Sequence, residues 1–178
     1  MSYYREQLEK FLKNLPVKAD FVIDLGGIQK PVKGRTKTWE VKDYEILDLP
    51  DYNMDSVFGK WLEYKRTCDI LFCLEVFEYL IVPTSGMQNI SNLLKPNGIA
   101  YVSFPLVYPL HNEVEFDSLR YTSSGIHRLA KYANLNVRTL HPRRTKTKTL
   151  VQYYQEDGMK MAKGHEHHIT GYIAEITK

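Results

Sequence analysis

The stretch Phe21-Val22-Ile23-Asp24-Leu25-Gly26-Gly27 is a short apolar run that ends in a carboxylate and two glycines. Such a run fits a buried strand, and the paired glycines mark the point where the strand gives way to a loop. A glycine lets a ligand approach the backbone closely, and Asp24 can accept hydrogen bonds from an ammonium or hydroxyl group. The pattern predicts either a ligand-binding loop or a tight turn with a solvated aspartate.

Further apolar runs predict buried strands at residues 69–74 and 99–104, and two more strands near 136–140 and 171–176. Apolar stripes at helical spacing predict a helix before Pro16, a second that stops at Pro96-Asn97-Gly98, and a third capped by Thr122 or Ser123. This alternation predicts an α/β fold with a doubly wound, mostly parallel sheet and helices on both faces. Functional residues are then expected beyond the carboxyl ends of the strands, after Leu25, Leu74 and Phe104.

The composition is that of one ordinary globular domain, with 178 residues, 43% apolar and 25% charged. We therefore expect a single domain over residues 1–178, with an N-terminal helix in 1–16 and the α/β core in 17–178. A net charge of +3 does not by itself indicate a nucleic-acid binder. Two cysteines, a charged N-terminus and the lack of a long apolar run favour a soluble cytoplasmic protein without a disulfide framework or a membrane span.

Five segments in a fixed order resemble the motifs of the class I S-adenosylmethionine-dependent methyltransferases, particularly the small members that lack a cap domain. They are 21–27 (first motif), 48–50 (acidic third-strand motif), 69–79 (fourth strand and the start of the next helix), 93–98 (the turn before strand five) and 117–122. The resemblance implies a Rossmann-like fold whose last strand is antiparallel. It also implies S-adenosylmethionine as the cofactor.

The resemblance assigns the methionine and ribose end of the methyl donor to Asp24, Gly26 and Gly27. Asp43 is a further candidate for the ribose hydroxyls, because it lies near the end of a strand predicted around residues 39–41. The loop that follows, residues 28–37, departs from the family pattern. It contains a proline and four basic residues and is a poor helix.

The adenine and sulfonium ends are assigned by the same resemblance. Asp48 would accept a hydrogen bond from the adenine amino group, and the Leu49 backbone N–H would donate to the ring. Cys73, Leu74 and Glu75 would border the sulfonium, where acidic surroundings suit a cationic methyl donor.

His111 is the candidate general base, since it follows the predicted fifth strand, where an acceptor could bind. An exposed loop histidine is the alternative, and many methyl transfers need only in-line positioning. A histidine common in relatives after strand four is replaced here by Tyr79. Arg120 either shapes the acceptor pocket or pairs with Asp117.

Three other patterns have simpler explanations. The basic run 143–148 could contact phosphates, although a solvated loop is favoured. His165 and His167 could share one strand face as metal ligands, but the sequence offers no clear third ligand, so no metal is expected. Cys68 and Cys73 are expected to be buried small residues.

The sequence thus predicts an S-adenosylmethionine-dependent methyltransferase that acts on an oxygen or nitrogen of a small-molecule or saccharide acceptor. Two alternatives stay open at this point. One is a non-catalytic domain that binds S-adenosylmethionine. The other is a nucleic-acid-associated methyltransferase that uses the basic run 143–148. No membrane partner is expected.

Overall fold

The computed structural model of the chain describes residues 3–27, 38–57, 63–110, 116–145, 158 and 169–178. The helices and strands in these ranges are α1 (Tyr3–Asn14), β1 (Lys18–Leu25), β2 (Glu40–Leu47), β3 (Cys68–Cys73), a short 3-10 helix (Phe77–Tyr79), α2 (Pro83–Leu93), β4 (Leu94–Pro105), α3 (Ser123–Tyr132), β5 (Asn136–Arg144) and β6 (Ile169–Thr177).

The six strands form one sheet in the order β2-β1-β3-β4-β6-β5. Strands β1 to β4 run parallel, whereas β6 is antiparallel to both of its neighbours, β4 and β5. This arrangement confirms the predicted doubly wound fold with an antiparallel last strand. The strand order reverses beside β1, and in open α/β sheets the ligand crevice lies at such a reversal.

Each face of the sheet has its own apolar core, because successive side chains of a strand point to opposite faces. Ile23 and Leu25 of β1 pack with the buried residues of α2 and α3. Val22 points to the other face, where it packs with Leu8 and Leu12 of α1. Helices therefore cover both faces, as the alternating sequence pattern predicts.

The described residues contain one strand between β1 and the strand at residues 68–73, where the resemblance implied two. That strand, β2, extends to Leu47 and so runs well past the predicted strand at 39–41. Strand β4 begins at Leu94 rather than Ile99, because Leu94 already pairs with Cys68 across an irregularity in the ladder. The cap prediction is confirmed, since the Thr122 side chain accepts the Gly125 N–H at 3.1 Å.

No helix within the described ranges is long and apolar enough to span a membrane.

Candidate functional site

The parallel strands β1 to β4 end at Leu25, Leu47, Cys73 and Pro105, and these ends lie along one edge of the sheet. The loops after β1 and β3 flank the point where the strand order reverses. The residues predicted to function after Leu25 and Leu74 are therefore brought together at this edge.

The glycine pair has a structural role in addition to the proposed binding role. Gly26 adopts a φ of +70°, in the left-handed region, and its N–H donates to the Leu47 carbonyl at 2.9 Å. A Cβ on Gly26 would lie 2.5 Å from Val76 Cγ2, and a Cβ on Gly27 would overlap the Asp24 carboxyl group. Gly26 is therefore constrained to be glycine by its φ and by Val76, whereas a side chain at Gly27 would displace the Asp24 carboxyl group.

Gly26→Ala is expected to lower the free energy of unfolding by about 1–3 kcal/mol, because it adds strain at positive φ to the clash with Val76. Chemical denaturation of the two proteins measures the difference. Gly158 provides the control, since it also has a positive φ, of 87°, but a Cβ there meets nothing within 4 Å. If Gly26→Ala costs no more than Gly158→Ala, the close packing against Val76 is not a constraint.

Asp24 is 2% exposed, although its carboxyl group lies at the end of a strand beside the glycine loop. Tyr44 of the neighbouring strand β2 donates its hydroxyl to Asp24 Oδ2 at 2.5 Å. A buried carboxylate needs hydrogen-bond donors, and the tyrosine fixes its orientation. The result is a held acceptor at the reversal of strand order, which suits a hydroxyl or ammonium group of a ligand.

The structure changes the surroundings of the other acidic candidates. Asp43 is exposed and pairs in register with Phe21, four residues before β2 ends, so it lies away from the carboxyl edge. Asp48 directly follows β2, which is the neighbour of the strand that carries Asp24. The resemblance to a third-strand motif had implied a position one strand further from Asp24. The Leu49 N–H donates to Asp48 Oδ1 at 2.8 Å, so in this structure it is already engaged.

The residues after β3 divide between the core and the edge. The Cys73 side chain is fully buried, with its Sγ 3.8 Å from Met54 Sδ, and burial raises the pKa of its thiol well above the ordinary range. Leu74 is half-buried. Glu75 has a φ of +59°, and its N–H donates to Ser103 Oγ at 2.7 Å. Of the three predicted residues, only Glu75 brings a polar side chain to the edge.

The Glu75 carboxylate is bound by residues from two other strands. Its Oε1 accepts hydrogen bonds from Ser103 Oγ at 2.7 Å and from Arg143 Nη1 at 2.5 Å. Arg143 is 1% exposed, so it is unavailable to contact phosphate. The prediction that residues 143–148 form a solvated or nucleic-acid-binding run is therefore wrong for Arg143, the first residue of the run. Residues 146–148 lie outside the described ranges.

Glu78 carries a buried carboxyl group close to Glu75. It is 1% exposed, and its Oε2 has no hydrogen-bond partner among the described residues. Burial, followed by the negative charge of Glu75, raises its pKa to about 8. The adjoining segment is fixed, since Ser118 and Leu119 donate their N–H groups to the Glu78 carbonyl.

Arg120 pairs with the buried Asp117, with Nη1–Oδ1 and Nη2–Oδ2 distances of 2.5 and 2.9 Å. The bidentate geometry supports the structural explanation for this pair.

Several predicted residues lie outside the described ranges, among them His111 and the histidines of 164–168. No group of three or more metal-ligating side chains occurs among the residues that are described. Cys68 and Cys73 are free and buried, which confirms the prediction for both. Burial raises the pKa of the Cys68 thiol to about 12.

Sequence reasoning did not identify Tyr4, Tyr44, Ser103 or Arg143 as residues of this site. Extending β2 to its full length would have placed Tyr44 opposite Val22. Asp24 is two positions after Val22 on the same face of the sheet, so the tyrosine lies diagonally from it. Ser103 was predicted to lie in a strand, but its hydrogen bond to Glu75 was not predicted. Nothing local in the sequence distinguishes Arg143 from the basic residues that follow it.

No protein-family model matches the chain. No curated protein matches it either.

Many solved structures share its fold. The chain superposes on the 1,6-didemethyltoxoflavin-N1-methyltransferase of Burkholderia thailandensis, solved with 1,6-didemethyltoxoflavin and S-adenosylhomocysteine, with a TM-score of 0.64 at 10% identity, covering 99% of this chain and 78% of that one. An S-adenosylmethionine-dependent methyltransferase from Mesorhizobium loti gives 0.57 at 7% identity, covering 98% of both chains. The [4+2]-cyclase SpnF gives 0.57 at 10% identity, covering 97% and 81%.

These likenesses define the class of fold, which is that of the S-adenosylmethionine-dependent methyltransferases. The identities are too low to carry a particular acceptor or reaction to this chain.

Proposed function

We propose that the carboxyl edge of β1 to β3 binds S-adenosylmethionine. The observation that carries the proposal is Asp24, a buried carboxylate oriented by Tyr44 and followed by two glycines at the reversal of strand order. Asp24 and the Gly26-Gly27 backbone would hold the methionine and ribose end. Asp48 and Leu49 lie one strand away, where the adenine end can reach them, and the Leu49 N–H would first have to leave Asp48.

We further propose that the protein transfers the methyl group to an oxygen or nitrogen of a small-molecule or saccharide acceptor. The chemistry requires the acceptor atom to be placed in line with the bond between sulfur and the methyl carbon. Glu75 borders this position, and its carboxylate favours the cationic methyl donor over its neutral product. His111 remains the candidate base for an acceptor that must lose a proton.

Calorimetric titration of the purified protein with S-adenosylmethionine and S-adenosylhomocysteine is the direct test. We expect both to bind at one site with dissociation constants of about 1–100 μM, which corresponds to binding free energies of about −5 to −8 kcal/mol. NAD serves as the negative control, because it shares the adenosine group and belongs to the other common use of this topology. A folded protein that binds neither S-adenosyl compound would refute the proposed cofactor.

A domain that binds S-adenosylmethionine without transferring its methyl group is the second candidate. It is favoured by two features: the described residues between β1 and β3 hold one strand, and the Leu49 N–H is already bonded to Asp48. Binding of the cofactor without methyl transfer to any member of a phenol, amine, carboxylate and saccharide panel would support this candidate. Methyl transfer to any of them would refute it.

A further inference from the structure

We propose that Arg143 is a positioning residue that fixes Glu75 for binding of the methyl donor and links it to helix α1. The inference rests on the proposed function, because it concerns the same binding site. Arg143 comes from β5, the strand at the far edge of the sheet, and it reaches the loop after β3.

Arg143 and Ser103 restrain one oxygen of Glu75, and among the described residues they are the side chains that bond its carboxylate. Both bond to Oε1, at 2.5 and 2.7 Å. Within the described residues Oε2 receives no hydrogen bond, and the side chain is 21% exposed. The backbone of Glu75 is restrained as well, because its N–H donates to the same Ser103 hydroxyl. The carboxylate is thus held in one orientation, with one oxygen that no described residue bonds and that a ligand could reach.

The same guanidinium group binds the first turn of α1. Its Nη2 donates to the Tyr4 carbonyl at 3.1 Å, and its Cζ lies 3.1 Å from the centroid of the Tyr4 ring. Gln7 adds two bonds to the next residue of β5, accepting the Arg144 N–H at 2.8 Å and donating to the Arg144 carbonyl at 2.6 Å. Displacing α1 would therefore remove two of the contacts that hold the Arg143 guanidinium beside Glu75.

Stability alone is a poor explanation for this arrangement. A buried ion pair is often no better for stability than apolar side chains of similar volume, because both charges lose their hydration. Here Arg143 Nε and Tyr4 Oη also lack hydrogen-bond partners among the described residues. Gly171 accommodates the tyrosine, since a Cβ there would lie 2.6 Å from Tyr4 Oη. Orientation of the one partly exposed member, Glu75, is what the cluster provides.

The test is titration with S-adenosylmethionine of the wild type, Arg143→Gln and Arg143→Lys. We expect Arg143→Gln to bind about tenfold more weakly. Arg143→Lys should recover part of the loss, because lysine keeps the positive charge but lacks the planar set of donors of the guanidinium group. Arg138→Gln is the matched control, since Arg138 lies on the same strand, pairs with Glu175 at 3.1 Å and is 66% exposed. Its affinity should equal that of the wild type.

A double-mutant cycle separates positioning from general damage. If Arg143 acts through Glu75, then Glu75→Gln weakens binding, and adding Arg143→Gln to it causes little further loss. Hydrogen exchange gives a second measure: S-adenosylmethionine should protect the amides of α1 in the wild type and fail to do so in Arg143→Gln. If Arg143 had only a structural role, its effect would add to that of Glu75→Gln, and the ligand would protect α1 equally in both proteins.

The outcomes are distinct. A folded Arg143→Gln protein that binds within twofold of the wild type overturns the inference and leaves the proposed function intact. Should Arg143→Gln not fold, Ser103→Ala decides, since it removes the other support of Glu75 without exposing a charge. Ser103→Ala should weaken binding about threefold, and unchanged affinity overturns the inference. A folded wild type that binds neither S-adenosylmethionine nor S-adenosylhomocysteine refutes the proposed function and the inference together.

Discussion

Asp24→Asn is expected to weaken binding of S-adenosylmethionine by about 10–100-fold, because a hydrogen bond to a buried charged acceptor contributes about 1.5–3 kcal/mol. The substitution keeps the size of the side chain and an oxygen that can accept the Tyr44 hydroxyl bond, which is 2.5 Å long in the structure. It removes the negative charge that faces the cationic methyl donor. Calorimetric titration of the folded variant measures the loss.

Asp20→Asn is the control for this prediction. Asp20 lies on the same strand near its amino end, where its carboxylate pairs with Lys42 at 2.5 Å on the surface. The cofactor affinity of Asp20→Asn should match that of the wild type. Equal affinities of Asp24→Asn and the wild type would show that the buried carboxylate is structural only.

Glu78→Gln is expected to raise the free energy of unfolding by about 3 kcal/mol near pH 7, since one pKa unit corresponds to 1.36 kcal/mol. Burial and the charge of Glu75 raise the pKa of Glu78 to about 8, whereas the ordinary value is 4.5. Between these two values the folded protein keeps the proton and the unfolded chain releases it. The free energy of unfolding of the wild type therefore falls as the pH rises through this window. The Glu78→Gln variant does not show this fall, because glutamine does not titrate.

Urea denaturation at about pH 4.5, 6 and 8 tests the sign, because the advantage of Glu78→Gln should be absent at the lowest pH and grow towards the highest. Asp117 and Arg120 contribute in opposite directions to the same carboxyl group, so both should stay unaltered in these variants. Glu40→Gln provides the control, as Glu40 is 72% exposed and pairs with an exposed lysine. A difference that does not change with pH would show that Glu78 titrates normally.

Much of the fold could be predicted because it depends on local patterns. The run before Gly26 and the capped helix after Thr122 are visible as apolar periodicity closed by residues of known conformational preference. The length of β2 could not be predicted, because an edge strand with polar side chains such as Lys42 and Glu45 lacks the apolar run of a buried strand. The early start of β4 at Leu94 also has no local signal, since it depends on pairing with β3.

The site was predictable where one motif supplies it and unpredictable where distant segments meet. Asp24 and its two glycines are neighbours in sequence, so their shared location follows from one strand end. The contact between Glu75 and Arg143 joins residues 68 positions apart, and Tyr4 lies 139 positions from Arg143. Only the order of strands and the placement of α1 bring these three together. The same distances explain why a buried arginine was grouped with the basic residues beside it.

Strand β2 has a consequence for how copies of this chain behave at high concentration. It lies at the edge of the sheet, and no described strand pairs with its outer side. An edge strand of this kind can template growth of a sheet from one molecule to the next. Its exposed side chains Glu40, Lys42, Asp43 and Glu45 carry charges of both signs, and a stacked copy would have to desolvate them. These charges protect the molecule from aggregation through the strand that also holds Tyr44 against Asp24.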